Sequence, residues 1–467
     1  MNVIQLQPCD PAHPPPMVEL REATVYWDAA QKRVLLKEGV MESEGGAYGF
    51  FNDTLLLSGW GVLEISAGHG AGSTQEDETT FFLAGYLEGY LTAGHYSNMY
   101  PQFLKDEKVL NPLKSKQDQW SREQVRLRRH SDPLWKHLGL ILAQLDAFAL
   151  QFLNGVGDLL DLVPALTPRS NSSSAAGALR TPGMGHCTAL IKVLPGFENL
   201  LFGHSSWYTY AATMRIYKHW DFRVSDTRTA TGKMSFSSYP ACWPGRGSAS
   251  PTSGSQRRGV GAHLLQIQLG YLQQSVHGGG PEPGFLGHRI RDGALTVVEQ
   301  IPGKVMHSDQ TQALRRGYWP SYNIPFHEEI YNLSGYSAMW KRYGEDFSYD
   351  LCPRAKILRR DQAKVFHLSS LKHIMRYNNY KRDPYSKGHP CKTICCRNDL
   401  RPRRPRPGGC YDTKMAVQLA AEAVNGPTTQ GGLRPFSWQS FNLTSHHGLP
   451  QTYDFPFVTM RPTLHHP

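Results

Sequence analysis

The sequence predicts an α+β fold, and three observations carry that prediction. Short β-favouring runs fill residues 21–66, helical spacing of apolar positions follows, and residues 187–204 spell out a β-hairpin. In chain order, the first strands are expected at 23–27, 33–36 and 59–66, separated by Gly-containing turns. Residues 81–92 and roughly 132–153 have the apolar period of helices. The second of these is broken by Gln144, Asp146 and Gln151, so it reads as an amphipathic core helix and not as a membrane span. Residues 168–183 form a linker rich in Ser, Ala and Gly that stops four residues before Cys187. Such a segment suits a chain that is cut, and suits an ordinary interdomain loop equally well.

The hairpin carries the first chemical signal. Residues 187–193 and 199–204 are apolar β-favouring runs, with Pro195-Gly196 as the turn between them. A turn centred near Gly196 would set Cys187 opposite His204 or Ser205. A thiol and an imidazole would then be neighbours at the open end of the ribbon, as nucleophilic catalysis requires. A buried Cys beside a hydrogen-bonded His is the plain structural alternative. Beyond the hairpin, Ser205 or Ser206 can cap a helix running to about His219. Neither serine has the Gly-x-Ser-x-Gly context of a hydrolase elbow, so capping is their expected role. His219 and Asp221 look like a relay pair but read as structural. Residues 353–381 mix strand and helix signals, and a cysteine cluster follows in a loop-rich terminus.

Length, charge and cysteines bound the class. A chain of 467 residues can form two or three domains, or one large α+β domain with insertions. Its 40% hydrophobic and 11% aromatic content supplies a sizeable core. The net charge of +11 could attract anionic lipid or nucleic acid, but the cations concentrate at 256–258 and 401–407, in Gly- or Pro-rich stretches. Without aromatic interleaving or zinc-ligand spacing, a nucleic-acid partner is set aside. No run of about twenty apolar residues exists to span a bilayer. Residues 1–16 lack both the basic start and the apolar core of a signal peptide. Sequons at Asn52, Asn171, Asn332 and Asn442 nevertheless argue for the secretory route. So do Cys391, Cys395, Cys396 and Cys410, whose spacing lacks Cys-x-x-Cys pairs and favours disulfides over a metal site. Their pairing stays open, except that adjacent Cys395 and Cys396 are poor partners for each other. A secreted or lysosomal location is expected.

Several longer blocks point further. They are Met184-Gly185-His186-Cys187-Thr188-Ala189-Leu190, His204-Ser205-Ser206-Trp207-Tyr208 and Lys218-His219-Trp220-Asp221-Phe222. Others are Glu299-Gln300-Ile301-Pro302, Gly317-Tyr318-Trp319-Pro320-Ser321-Tyr322-Asn323, Arg376-Tyr377-Asn378-Asn379-Tyr380 and Gly408-Gly409-Cys410-Tyr411-Asp412-Thr413-Lys414. Together they resemble the phospholipase B-like family of N-terminal-nucleophile hydrolases, nearer its first paralogue than its second. The resemblance covers most of 21–240 and 294–462.

The resemblance implies a four-layer αββα sandwich and a chain that cuts itself between His186 and Cys187. Residues 1–20 would lie outside the family region, 21–186 would be a pro-segment, and 187–467 the hydrolase chain, the two fragments staying associated. Cys187 would be the nucleophile, with His204, Trp207, Asn323 and Arg354 lining the site and no cofactor. On residue type alone, Asn323 could serve only a turn, Arg354 the surface and Trp207 the core. The implied reaction removes fatty acyl chains from phospholipids. Thioester chemistry serves esters and linear amides alike, so an N-acyl amide hydrolase remains open, as does a non-catalytic luminal glycoprotein. Residues 241–292 are rich in Gly, Ser, Pro and Arg, and lack the family's Gln-Thr-Thr-Asn run. A further family segment near 149–151 is skipped. Little or no hydrolase activity is therefore expected of this chain as written.

Overall fold

Two six-stranded sheets carry the structure, a computed structural model that describes residues 19–70, 76–103, 119–147, 186–225, 233–239, 290, 292–301, 304–417 and 420–464. The chain opens with β1 (Glu19–Asp28), β2 (Arg33–Glu38), β3 (Ala47–Thr54) and β4 (Trp60–Ala67), all joined antiparallel. Helices α1 (Asp77–Phe103) and α2 (Pro133–Ala147) follow. The hairpin comes next as β5 (His186–Val193) and β6 (Leu200–Thr209), then β7 (Arg215–Phe222) and β8 (Lys233–Ser238). A two-stranded ribbon, β9 (Thr296–Ile301) with β10 (Lys304–Asp309), precedes β11 (Tyr318–Ser321). Helices α3 (Pro353–Asp361) and α4 (Leu368–Met375) lead to β12 (Gly408–Val417), β13 (Ala420–Asn425), the short pair β14 (Phe436–Ser437) and β15 (Thr452–Tyr453), and β16 (Val458–Met460).

The first sheet runs β2-β1-β3-β4-β7-β8, and its β4–β7 pairing is parallel. Helix α1 lays Phe81, Ala84, Leu87 and Leu91 against Val25, Phe51, Leu63, Ile65, Ile216 and Trp220 of this sheet. Burying each large apolar side chain there stabilises by roughly 1.5–3 kcal/mol. Asp77 and Glu78 lie in the first turn of α1, where the helix dipole favours negative charge. Glu88, on the same buried face, forms an ion pair with Lys218 of β7 at 2.6 Å, with both side chains almost fully out of solvent.

The second sheet runs β11-β5-β6-β12-β13-β16. One of its faces packs Leu190, Leu201 and Met415 against Ile357 and Leu358 of α3 and Leu371 and Met375 of α4. Gly203 permits this approach, because a Cβ there would stand 2.8 Å from Met375 Cγ. Residues of the two sheets meet where Trp60 and Tyr217 pack on Ala421, Ala423 and Met460. Disulfides Cys391–Cys396 and Cys395–Cys410 close the pairing that the sequence left open. They pin the 391–396 loop to the start of β12, packed on Trp207.

Three local expectations need correction. The stretch after Ser205 is not a helix to His219. It continues β6, makes a short turn at Tyr210–Ala212 and becomes β7. Residues 353–381 contain helix but no strand. The hairpin register is also displaced, for Cys187 faces Ser206 while His204 faces Ala189. Pro195–Phe197 forms a 3-10 turn, with both Gly196 (φ 69°) and Phe197 (φ 58°) left-handed, which moves the ribbon's centre past Gly196. The linker at 168–183, Asn171 and nearly all of 241–292 lie outside the described residues.

Candidate active site

Cys187 stands at the start of β5, and three elements reach it. Strand β11 pairs antiparallel with β5 through Ser321 and Ala189, so the chain leaving β11 passes beside Cys187. There Asn323 adopts φ 63°, a left-handed conformation that Asn tolerates better than most residues. Its Oδ1 accepts the backbone N–H of Cys187 at 2.6 Å. Its own carbonyl accepts Tyr336 O–H at 2.8 Å.

Arg354 comes from the first turn of α3, which Pro353 starts. Its Nη1 donates to the Cys187 carbonyl at 2.8 Å, to Thr188 Oγ1 at 3.1 Å and to Asn323 Oδ1 at 3.3 Å. Its Nη2 donates to the Tyr322 carbonyl. The guanidinium lies over Trp207, 4.5 Å from the ring centroid, a cation–π stack that fixes the plane of the fork. The structure therefore brings Cys187, Asn323, Arg354 and Trp207 into one contact network. Arg354 is not a surface cation, and Asn323 does more than close a turn.

The face of the second sheet turned to the first holds a further set. Because directly paired residues share a face, Cys187, Ser206 and Asp412 form one row across β5, β6 and β12, and Ala189, His204 and Lys414 form the next. Fully buried Asp412 accepts Arg215 Nε at 3.0 Å and Nη2 at 2.6 Å, Lys414 Nζ at 3.1 Å and Ser237 Oγ at 2.8 Å. Burial pushes its carboxyl pKa up, but Lys414, Arg215 and the Ser237 hydroxyl outweigh burial and hold it below the usual range. His204 shows the opposite balance. Burial, with Lys414 beside it, lowers its pKa to about 3, so the imidazole is neutral through the physiological range.

Asp412, Lys414, Arg215 and Ser237 were not singled out by sequence reasoning. The only signal for the first two was the Asp412-Thr413-Lys414 alternation, which puts both charges on one face of a strand. His219 and Asp221 have structural partners: His219 Nδ1 meets Ser235 Oγ at 2.7 Å, and Asp221 pairs with His69 and Lys233. Of the sequons, Asn332 and Asn442 are exposed. Asn52 lies within β3, and its buried Oδ1 has no hydrogen-bond partner among the described residues. Among the described residues, no helix is long and apolar enough to cross a membrane.

The family model described as Phospholipase B matches residues 47–149, 144–244 and 281–460. The chain is 45% identical to "Phospholipase B-like 1" of Bos taurus, over 95% of this chain and 93% of the relative. It is 44% identical to the Homo sapiens protein of that name, over 97% and 94%. It is also 44% identical to "Phospholipase-B 81" of Drysdalia coronoides, over 96% and 94%. The chain belongs to the phospholipase B family, and a hydrolase acting on lipid is the class that membership supports. The match is interrupted around 144–149 and between 244 and 281.

Proposed function

We propose that this chain is an N-terminal-cysteine acyl hydrolase, on an αββα sandwich of the N-terminal-nucleophile type, which removes fatty acyl chains from phospholipids. The observation that carries the reading is the grip on the Cys187 backbone: Asn323 Oδ1 takes its N–H at 2.6 Å and Arg354 takes its carbonyl at 2.8 Å. The nitrogen held by Asn323 is the one that cleavage would free as an amine.

In maturation, Cys187 Sγ attacks the His186 carbonyl carbon. The His186–Cys187 amide bond breaks, the α-amine leaves with a proton, and water hydrolyses the thioester. In turnover, the amine, with an unperturbed pKa of roughly 7.7–8.0, takes the thiol proton as sulfur attacks the acyl carbonyl. The lysophospholipid alkoxide departs with that proton, and water releases the fatty acid. A neutral His204 suits a positioning role and leaves the base role to the amine. Asn323 uses Oδ1 toward the Cys187 nitrogen, so its amide NH₂ is free to donate to the developing oxyanion. A linear-amide substrate is compatible with the same steps.

The second reading, a luminal glycoprotein without activity, draws on the interrupted family match between 244 and 281. Exposed Asn332 and Asn442 and the two disulfides favour a secreted or lysosomal location under either reading. Intact-mass analysis tests the proposal. Purified protein should yield a fragment starting at Cys187, Cys187→Ser should slow or block its appearance, and Cys187→Ala should abolish it. Recovery of two fragments, cut at the 186–187 bond, from Cys187→Ala in a protease-free preparation would rule out self-cleavage.

A further inference from the structure

The polar layer under Cys187 is not electrically balanced. Two cations, Arg215 and Lys414, share the single carboxylate of Asp412. His204, paired in register with Lys414, is neutral and buries Nδ1 without a hydrogen-bond partner among the described residues. Among the described residues, one positive charge is left over on the face that carries the thiol. Arg215 is bound to Asp412 through two nitrogens and is almost fully buried, so the excess resides on Lys414, whose pKa burial lowers while its contact with Asp412 pulls it back up.

We propose that Lys414 is the cation that stabilises the Cys187 thiolate, with Asp412, anchored by Arg215 and Ser237, as the residue that positions it. The inference rests on the nucleophile assigned above and adds its counter-charge. Among the described residues, Lys414 and Asp412 from β12 and Arg354 from α3 are the charged groups that act on the thiol, while His204 from β6 and Arg215 from β7 act on Asp412. Arg354 stands over Trp207, whose side chain leaves β6 on the opposite face from Ser206, and its fork is spent on neutral acceptors. Burial pushes the thiol pKa up; the Trp207 backbone N–H and Lys414 push it down, Asp412 works against them, and Arg354 adds a smaller pull downward. The net direction is upward, so Lys414 limits how far burial raises the thiol pKa and does not by itself make a resting thiolate.

The test is the pH profile of Cys187 alkylation by iodoacetamide, read by peptide mass so that Cys9, Cys242 and Cys352 are counted separately. Variants are compared in the same state of cleavage, and each is checked by thermal melt. Lys414→Gln should move the profile up by about one pH unit, a roughly tenfold slower reaction below the midpoint. Lys414→Arg should restore it, and Asp412→Asn, which leaves both cations unneutralised, should move it down. An unchanged profile in folded Lys414→Gln, or an upward shift in Asp412→Asn, would overturn the proposal. If Lys414→Gln does not fold, the sign of the Asp412→Asn shift decides. Failure of the hydrolase reading shows separately, as absence of a Cys187-terminated fragment, because the thiol titrates whether or not the chain is cut.

Discussion

At the scale of single residues, the site fixes the Cys187 backbone through the side chains of Asn323 and Arg354. Asn323 holds a left-handed conformation and accepts through Oδ1, so Asn323→Asp preserves the turn and that contact while deleting the amide donor. Hydrolysis of phospholipid by Asn323→Asp should fall by about 10²–10³ in kcat, the cost typical of losing an oxyanion donor. A melting temperature unchanged by more than a few degrees would show that the loss is chemical. The buried histidines give a second prediction. Burial lowers His204 to about 3 and His219 to about 4, whereas the unfolded chain titrates near 6.5. Their contribution is therefore complete above pH 6.5 and declines as pH falls toward the folded values. Near pH 5, unfolding takes up about two protons from this pair, a slope approaching ~2.7 kcal/mol per pH unit. Thermal melts at pH 7, 6 and 5 should show this decline, and His204→Gln/His219→Gln should flatten it. Parallel curves for the two proteins would refute the assignment.

At the scale of elements, β7 explains both a stability determinant and a misreading. Its residues are buried almost throughout, because α1 covers one face and the second sheet lies toward the other. A strand buried on both faces loses the alternation that advertises strands in a sequence. It also carries Arg215 and Lys218, whose neutralising partners, Asp412 and Glu88, are remote in sequence. A capped helix was therefore the natural sequence reading of that stretch. Strands β1, β2 and β4 were legible from their apolar runs, while β3, with Gly49 and the polar end Asn52-Asp53-Thr54, was not. The site was legible in part. Cys187 declares itself, but Asn323 and Arg354 lie 136 and 167 positions away, and only the family resemblance connected them beforehand. Breaking the Glu88–Lys218 pair from one side strands a buried charge. Lys218→Met should cost about 3–5 kcal/mol, and Glu88→Leu/Lys218→Met should recover most of it. Urea titration of the two variants measures this, and equal losses in both would show that packing, not charge, is at stake.

At the scale of the whole molecule, the described residues assemble the site without the stretch at 240–289, where the family match is also interrupted. Catalysis nevertheless depends on placement, and an error of about 1 Å can cost roughly a hundredfold in rate. A version carrying family-length segments near 144–149 and 244–281 should release fatty acid from phospholipid at acidic pH much faster than this chain. Equal rates would show those segments to be dispensable.

The parallel β4–β7 pairing would have a consequence for a chain cut before Cys187. A cut before Cys187 leaves β1–β4 on one piece and β7–β8 on the other, within one hydrogen-bonded sheet. Asn425 Nδ2 donates to the Gly59 carbonyl, and Glu64 accepts the backbone N–H groups of Thr463 and Leu464, tying the pieces together at further points. Unfolding of the nicked molecule is then also a dissociation, so its melting temperature should rise with protein concentration. Refolding would become a bimolecular search, slow when dilute and open to wrong pairings. The uncut Cys187→Ala chain should melt at one temperature whatever its concentration. The covalent event that would arm the thiol would thus also make native assembly hard to repeat.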